Sequence, residues 1–325
     1  MAFTLAVRNV CGALARSGWL RAFTEACTLR AAVPATADVV HAHFAYSAST
    51  GAALARLLGC PFSFIGHGVD IFSTVSASLL RAQLAEARLA LATSEVGRQR
   101  LLAVAAPRDR EKVVLVRNGI DRSQFRRRDS EPQGMPVVLC VARFVEKKGI
   151  DTLLEALALL ASRGVDFRCE LIGEGPLRQT LEHLAQQLNL TQRVVFLGGA
   201  TQISVAAALE GATVFALPCR QAPDGDQDGM PNVLIEAMAV GVPVVGGDAG
   251  GVAEAVDHER SGLLVPSNAP TELAEALERV LSDPALRHRL VEGGLARTAR
   301  ADIRVAAQEL RSLFGAIASP HRAAR

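Results

Sequence analysis

Short apolar runs rich in β-branched residues alternate with helix-patterned stretches almost from one end of the chain to the other. In the first half, the runs at 38–44, 61–67, 89–94 and 113–118 predict strands, and stretches at 49–58, 76–86 and 95–103 predict helices. In the second half, strands are predicted at 137–142, 167–173, 194–198, 213–218, 242–246 and 262–265. Helices are predicted there at 152–162, 177–188, 204–209, 231–240, 271–281 and 305–314. Buried apolar strands alternating with helices mean parallel βαβ units, and two such series predict two doubly wound α/β sheets.

Between the series, the segment from Arg126 to Pro136 is charged, then rich in Pro and Gly, without apolar periodicity, and reads as a linker. The expected domains are 1–128 and 137–325. The first is short, because 1–37 holds no convincing strand and a nucleotide-binding sheet has about six. Residues 1–14 instead carry an apolar stripe, Phe3, Val7, Val10 and Leu14, which fits a helix packed on the sheet better than one lying on a membrane. The polar tail after Ser319 is expected to fray.

Composition narrows the class. With 325 residues, 50% apolar and 21% charged, the chain suits a globular protein of two domains and excludes a disordered or collagen-like one. Charges interrupt every apolar stretch before ~18 residues, so no membrane span is predicted. The net charge of +2 conceals an asymmetry: residues 1–128 carry 17 Lys and Arg against 8 Asp and Glu, a formal +9, and the rest carry 18 against 25, a formal −7. The basic half predicts an anionic partner. Cys11, Cys27, Cys60, Cys140, Cys169 and Cys219 form no CxxC pair and no metal-ligand spacing, which fits thiols in a reducing cytosol. No secretory signal is expected, since no 7–15-residue apolar run follows a basic start, and the early arginines only faintly resemble a transit peptide.

Candidate chemistry concentrates at strand exits. The strand at 137–142 runs into Arg143-Phe144-Val145-Glu146-Lys147-Lys148-Gly149. Ligands of doubly wound sheets bind at the carboxyl ends of strands. There Arg143 as a fork and Lys148 as a point charge suit one anionic group, against the plainer reading of a solvated basic loop. Further on, Asp224, Asp226, Asp228 and Gly229 mimic the start of an EF-hand loop, but its twelfth position, which must be Glu, is Ile235, so calcium is rejected. Pro231 suits the first position of a helix, leaving the N–H groups of Asn232, Val233 and Leu234 to receive a phosphate. Asp228 and Glu236 flank that end, where carboxylates accept hydrogen bonds from sugar hydroxyls. The alternatives are dipole complementarity for Asp228 and a solvated or paired Glu236.

Three weaker signals accompany these. Gly173-Glu174-Gly175-Pro176 lacks the third glycine of a dinucleotide fingerprint and reads equally as a tight turn. Gly250 and Gly251 are small enough to let backbone approach a ligand. In Gly66-His67-Gly68-Val69-Asp70, His67 stands at a strand end where it can meet a substrate hydroxyl, although a lone histidine is more often structural. His41 and His43 alternate within a strand and face one side, with no Cys or acid to complete a zinc set.

In their order along the chain, VARFVEKKGIDTLLEAL, LIGEGPLRQTLE, VVFLGG, ATVFALP, DGMPNVLIEAMAVGVPVV, GGVAEAV and SGLLVP resemble the family-4 retaining glycosyltransferases of the GT-B fold, over nearly all of 137–290. HAHFAYSAST, PFSFIGHGVDIF and NGIDRSQF are similar to the same family, notably its bacterial exopolysaccharide and cell-envelope members. The resemblance implies two Rossmann-like domains, the second holding a nucleotide-diphosphate sugar and the first an acceptor. Arg143 and Lys148 match the pair that grips the donor pyrophosphate, and Gly229, Met230, Pro231 and Asn232 the turn that contacts it. Glu236 matches the second acid of a Glu-x7-Glu motif, associated with the ribose, and Asp228 stands where the first Glu is usual, with shorter reach. His67 matches the histidine near the reacting carbon, with Asp70 of the same motif on the substrate side. Gly250 and Gly251 match a loop lining the sugar pocket.

The resemblance further implies a hexosyltransferase without cofactor or metal, acting on a glycan or a polyprenyl-diphosphate-linked acceptor. The basic half would meet anionic membrane peripherally at its cytoplasmic face, and no nucleic acid is expected as a partner. The family's opening strand and glycine-rich loop have no counterpart, so the first domain is expected to be incomplete, through a fragment or a start codon placed too far downstream. Three alternatives compete: a metal-dependent transferase using Asp224 and Asp226, a nucleotide-sugar epimerase of similar fold, and an inactive nucleotide-sugar-binding remnant.

Overall fold

The computed structural model describes residues 19–33 and 37–318; the stripe at 1–14 and the tail after Ser319 lie outside them. The chain forms two compact units, one of Met1–Arg117 with Gln308–Arg325 and one of Asn118–Ala307.

The first unit is built on a four-stranded parallel sheet, β1 (Val40–Ala42), β2 (Phe62–Gly66), β3 (Leu89–Ala92) and β4 (Val113–Leu115), in sequential order. Every residue of β2 and β3 is buried, as expected for strands covered by helices on both faces. One face packs on helices Ala48–Leu58, Ala77–Glu86 and Glu95–Val104 through Phe62, Phe64, Ala90 and Ala92. Serines start the last two helices: Ser76 Oγ accepts from the Leu79 N–H at 3.3 Å and Ser94 Oγ from the Gly97 N–H at 3.2 Å.

The second unit has six parallel strands, β5 (Val137–Val141), β6 (Arg168–Ile172), β7 (Val194–Gly198), β8 (Val214–Leu217), β9 (Val244–Gly247) and β10 (Leu263–Val265). Their order is β10-β9-β8-β5-β6-β7. The chain winds outward from β5 to β7, returns to pair β8 with β5, and winds the other way. The direction of winding therefore reverses between β5 and β8, and their carboxyl ends define the crevice where such sheets receive ligands.

Both doubly wound series are present, and three features differ from the sequence expectation. Helix Trp19–Ala32 was not predicted, because its buried face is alanine: Ala26 packs with Ala53 and Leu54 of Ala48–Leu58, and alanines leave no large-residue stripe to read. Helix Pro284–Thr298 was also missed; Asp283 caps it by accepting from the Ala285 and Leu286 N–H groups. The third difference is the division between units, which falls at 117/118 rather than within 126–136. Ile120 exchanges backbone hydrogen bonds with Ala301 and Ile303, and Arg128 donates to the carbonyls of Val240 and Ala212, so the expected linker is sewn to the second unit. Conversely, helix Ile303–Ile317, expected within the second domain, ends in the first unit. Its Leu310, Leu313, Phe314 and Ile317 stripe packs against Ile65, Leu89, Leu91 and Val116 on the other face of that sheet.

Candidate functional site

In the second unit, both loops leaving the switch-point strands carry the predicted residues. After β5, Phe144 is fully buried and anchors the loop, while Arg143 beside it is exposed, its guanidinium without hydrogen bond or ion pair among the described residues. Gly149 lies at φ +62, and a Cβ there would stand 2.1 Å from the Pro218 carbonyl. Only glycine lets this loop press on the exit of β8.

That approach brings Lys148 to the β8 loop. Its Nζ lies 2.6 Å from Asp228 Oδ2, with side chains only 13% and 12% exposed. Lys147 pairs with Asp226 at 3.0 Å and reaches Asp228 Oδ1 at 3.5 Å. The Cys219 thiol donates to Asp228 Oδ2 at 3.0 Å. Burial opposes ionisation of both Lys148 and Asp228, but their mutual attraction wins, raising the lysine and lowering the aspartate. Burial drives the Cys219 thiol well above its usual range, so the anion that Lys148 meets at neutral pH is Asp228.

Asp228, expected at the donor sugar, is ion-paired here to Lys148 and Lys147. The pair Gly250-Gly251 is also explained internally. The Gly251 N–H donates to the Asp228 carbonyl at 3.0 Å, and a Cβ on Gly251 would lie 1.2 Å from the Gly229 carbonyl oxygen. The backbone these glycines admit is the chain's own Asp228–Gly229 turn. Likewise Gly173-Glu174-Gly175 forms a turn whose Glu174 carbonyl takes the Phe144 N–H at 2.9 Å.

Helix Asn232–Val240 starts at this cluster, with Pro231 as its cap rather than its first residue. The Leu234 N–H already donates to Pro231 O at 3.2 Å, which leaves the amides of Asn232 and Val233 as the outward donors; the Asn232 side chain takes Asn118 Nδ2 at 2.9 Å. Met230 and Gly229 lie in the turn ahead of the helix. One turn in, the half-buried Glu236 has no cation or hydrogen-bond partner among the described residues, and burial pushes its carboxyl up to about 7. A buried, unpartnered carboxyl beside a helix terminus is a binding-site signature.

Arg220 was missed by the sequence reading. It follows β8, is 11% exposed, and pairs with Glu146 and Asp151, each at 2.9 Å, tying the β8 exit to the Lys147 loop. Its position directly beyond a switch-point strand was the available signal. The Asp224 carboxylate accepts the Asp226 N–H at 2.9 Å, and Asp226 is engaged by Lys147. Among the described residues no group of three His, Cys, Asp or Glu side chains is disposed to hold a metal.

In the first unit His67 stands at the exit of β2, its Nε2 buried and without a hydrogen-bond partner among the described residues. Burial and the neighbouring His43 lower it to about 4, against a hydrogen bond to the His43 backbone that works the other way. His41 is likewise lowered to about 4, by burial and by His43 and His67, and its Nδ1 lies 2.9 Å from Ser63 Oγ. Asp70, expected on the substrate side, is fully buried and accepts backbone N–H groups of Ala45 and His67 at 2.5 and 2.7 Å. It shapes the histidine turn, and its side chain has no exposed surface.

Two Rossmann-like parallel sheets, the second reversing its winding at a switch point between β5 and β8, define an α/β protein of the GT-B type. HepE of Anabaena in complex with UDP-glucose shares this fold at 22% identity and TM-score 0.74, over 86% of this chain and 79% of that one. Residues 121–297 match the sequence model of the glycosyl transferases group 1 family, and residues 6–124 that of glycosyltransferase family 4. The chain belongs to the glycosyl transferases group 1 family.

Among curated relatives, the proposed colanic acid biosynthesis glycosyltransferase WcaL of Salmonella typhimurium is 37% identical, over 75% of this chain and 61% of its own length. The amylovoran biosynthesis glycosyltransferase AmsK of Erwinia amylovora is 32% identical, over 76% of this chain and 62% of its own. The chain thus spans about three-fifths of the length of these relatives. The family resemblance read from the motifs is borne out.

Proposed function

We propose that the chain moves a hexose from a nucleotide-diphosphate sugar to a hydroxyl of a glycan or polyprenyl-diphosphate-linked acceptor in exopolysaccharide or envelope synthesis, retaining anomeric configuration. The observation that carries this reading is the crevice between β5 and β8. Its two loops and the helix after them carry an exposed Arg143 and a half-buried Glu236, both without a side-chain partner among the described residues, a lysine fixed by Asp228 and two free helix amides. As the glycosidic bond breaks, charge accumulates on the departing phosphate while the sugar becomes oxocarbenium-like. Arg143, Lys148 and the Asn232–Val233 amides are preorganised for that charge without a divalent ion. Glu236 would accept from the ribose hydroxyls. The leaving phosphate takes the acceptor proton, so His67, neutral at pH 7, is not required as a strong base.

Arg143→Ala tests the reading cleanly, since it removes no side-chain hydrogen bond or ion pair among the described residues. Each charge-assisted bond to phosphate contributes about 1.5–3 kcal/mol, so calorimetry should show affinity for UDP or GDP falling about 10- to 100-fold. An unchanged affinity for whichever nucleotide binds defeats it.

The formal +9 of residues 1–128 supports peripheral contact with anionic membrane at its cytoplasmic face. Among the described residues no helix is long and apolar enough to cross a membrane. Cosedimentation is expected with phosphatidylglycerol vesicles and not with phosphatidylcholine alone. Equal binding to both would remove the idea.

A further inference from the structure

Two lysines and two aspartates meet in the β5–β8 crevice, and they are shared unequally. Lys148 Nζ lies 2.6 Å from Asp228 Oδ2. Lys147 Nζ lies 3.1 and 3.0 Å from the two oxygens of Asp226 and 3.5 Å from Asp228 Oδ1. Each oxygen of Asp228 therefore has its own lysine, one in close contact and one standing further off. Lys147, Asp226 and Asp228 are only 11%, 14% and 12% exposed, so water does little to compensate their charges.

Lys147 is also held by its backbone. Its carbonyl accepts the Arg220 N–H at 2.9 Å, and the Arg220 guanidinium pairs with Glu146 and Asp151, which flank it in sequence. These contacts fasten the two loops without using Asp228. The other groups that reach Asp228 bring no positive charge. Cys219 donates its thiol proton to Oδ2 at 3.0 Å and is kept neutral by burial, and from the β9 exit the Gly251 N–H reaches the backbone carbonyl at 3.0 Å. The Cys140 thiol near Lys148 is likewise protonated, pushed up to about 12 by burial.

The formal charges of the two lysines and two aspartates cancel, whereas a sugar-nucleotide diphosphate carries two negative charges. Bonding to a phosphate draws the Lys148 ammonium away from Asp228, and a carboxylate left enclosed without a cation is strongly unfavourable. Lys147 already stands within ion-pair distance of the other oxygen of that carboxylate. We propose that Lys147 is a positioning residue for the donor, a standby counter-ion that takes over Asp228 when Lys148 turns to the diphosphate. The proposal rests on the glycosyl-transfer reading above, in which Lys148 meets the departing phosphate. With Lys147 in place, Asp228 stays ionised throughout. Without it, the carboxylate that Lys148 leaves takes a proton from solvent, so binding becomes weaker and favours low pH.

Calorimetry with UDP and with GDP at pH 8 and pH 6 tests this on the full chain in three forms: wild type, Asp226→Asn, and Asp226→Asn/Lys147→Met. The double variant leaves no unpaired charge at position 226, and its Asp228 keeps Lys148, so the closest pair of the crevice survives. Comparison with wild type at each pH cancels the titration of the nucleotide itself. Asp226→Asn should bind at least as tightly as wild type at both pH values. The double variant should bind about 10- to 100-fold more weakly at pH 8, and the deficit should shrink several-fold at pH 6. A deficit already present in Asp226→Asn overturns the inference, because Lys147 would then act by tying down the loop. Equal affinity in the double variant overturns it too, as does a deficit that does not shrink at pH 6, the mark of a lysine acting directly on phosphate. If neither nucleotide binds the wild type, the transfer reading itself fails, and the standby role with it.

Discussion

The two candidate regions solve the same problem, ionisable groups placed out of water, in opposite ways. In the β5–β8 crevice, Asp228 is nearly as enclosed as any carboxylate in the chain, yet it stays ionised because Lys148 stands 2.6 Å away. Glu236, one helical turn further on, has no such partner and rises to about 7. In the first unit burial lowers both His67 and His41 to about 4, reinforced by His43 for His67 and by His43 and His67 for His41. Burial pushes each of these groups toward its neutral form, and a close opposite charge decides whether the ionised form survives. One region keeps its enclosed groups charged in pairs, and the other keeps its rings neutral.

Removing Lys148 should give the largest effect. Breaking a buried pair leaves an uncompensated charge and costs about 3–5 kcal/mol; Lys147, 3.5 Å from Asp228, holds the loss near the lower end. Lys148→Met should therefore lower Tm markedly and abolish nucleotide-diphosphate binding. Adding Asp228→Leu should restore much of the stability and none of the binding. Recovery of binding in the double variant would show that Lys148 serves only to neutralise Asp228.

The neutral groups give opposite pH signatures. Glu236 titrates near 7 folded and near 4.5 unfolded, so the folded state holds the extra proton between those values and stability falls as pH rises from 4.5 to 7. Glu236→Gln should then be more stable than wild type at pH 8, by up to about 3 kcal/mol, with the gain vanishing near pH 4.5. His41 titrates near 4 folded and 6.5 unfolded, so the unfolded state holds the extra proton and stability is lost as pH falls from 6.5 to 4. Tm against pH for Glu236→Gln and His41→Asn checks both windows. Gains at the same end of the pH scale would collapse the contrast.

Much of this was legible in the chain. Continuous apolar strands announced both sheets, and the basic loop after β5 and the proline-led helix announced the crevice. What escaped was whatever depends on partners distant in sequence. Asp228 looks like a ligand until Lys148 is seen against it, and Gly250-Gly251 like a ligand loop until the Gly229 carbonyl is found in their space. The helix Trp19–Ala32 hid because alanine packs closely without a periodic signature. Asp70 was placed on the substrate side because a carboxylate beside a histidine carries no sequence mark of being buried against backbone amides.

Asp70 also supplies the subtlest test of the contrast. Replacing it with Asn keeps the shape but leaves one acceptor oxygen where there were two, and turns an NH2 group toward one of two N–H donors. Either Ala45 or His67 loses its bond, at about 1–3 kcal/mol for an unsatisfied buried group. The penalty should sit at the low end, because burial already raises the Asp70 carboxyl and a neutral amide escapes that cost. The loss of stability alone would fit any buried residue. What marks a positioning role is selectivity: the His67 ring resonances should shift in Asp70→Asn while UDP or GDP affinity stays at the wild-type value. If nucleotide affinity falls in parallel with Tm, or the His67 resonances do not move, Asp70 is a packing residue.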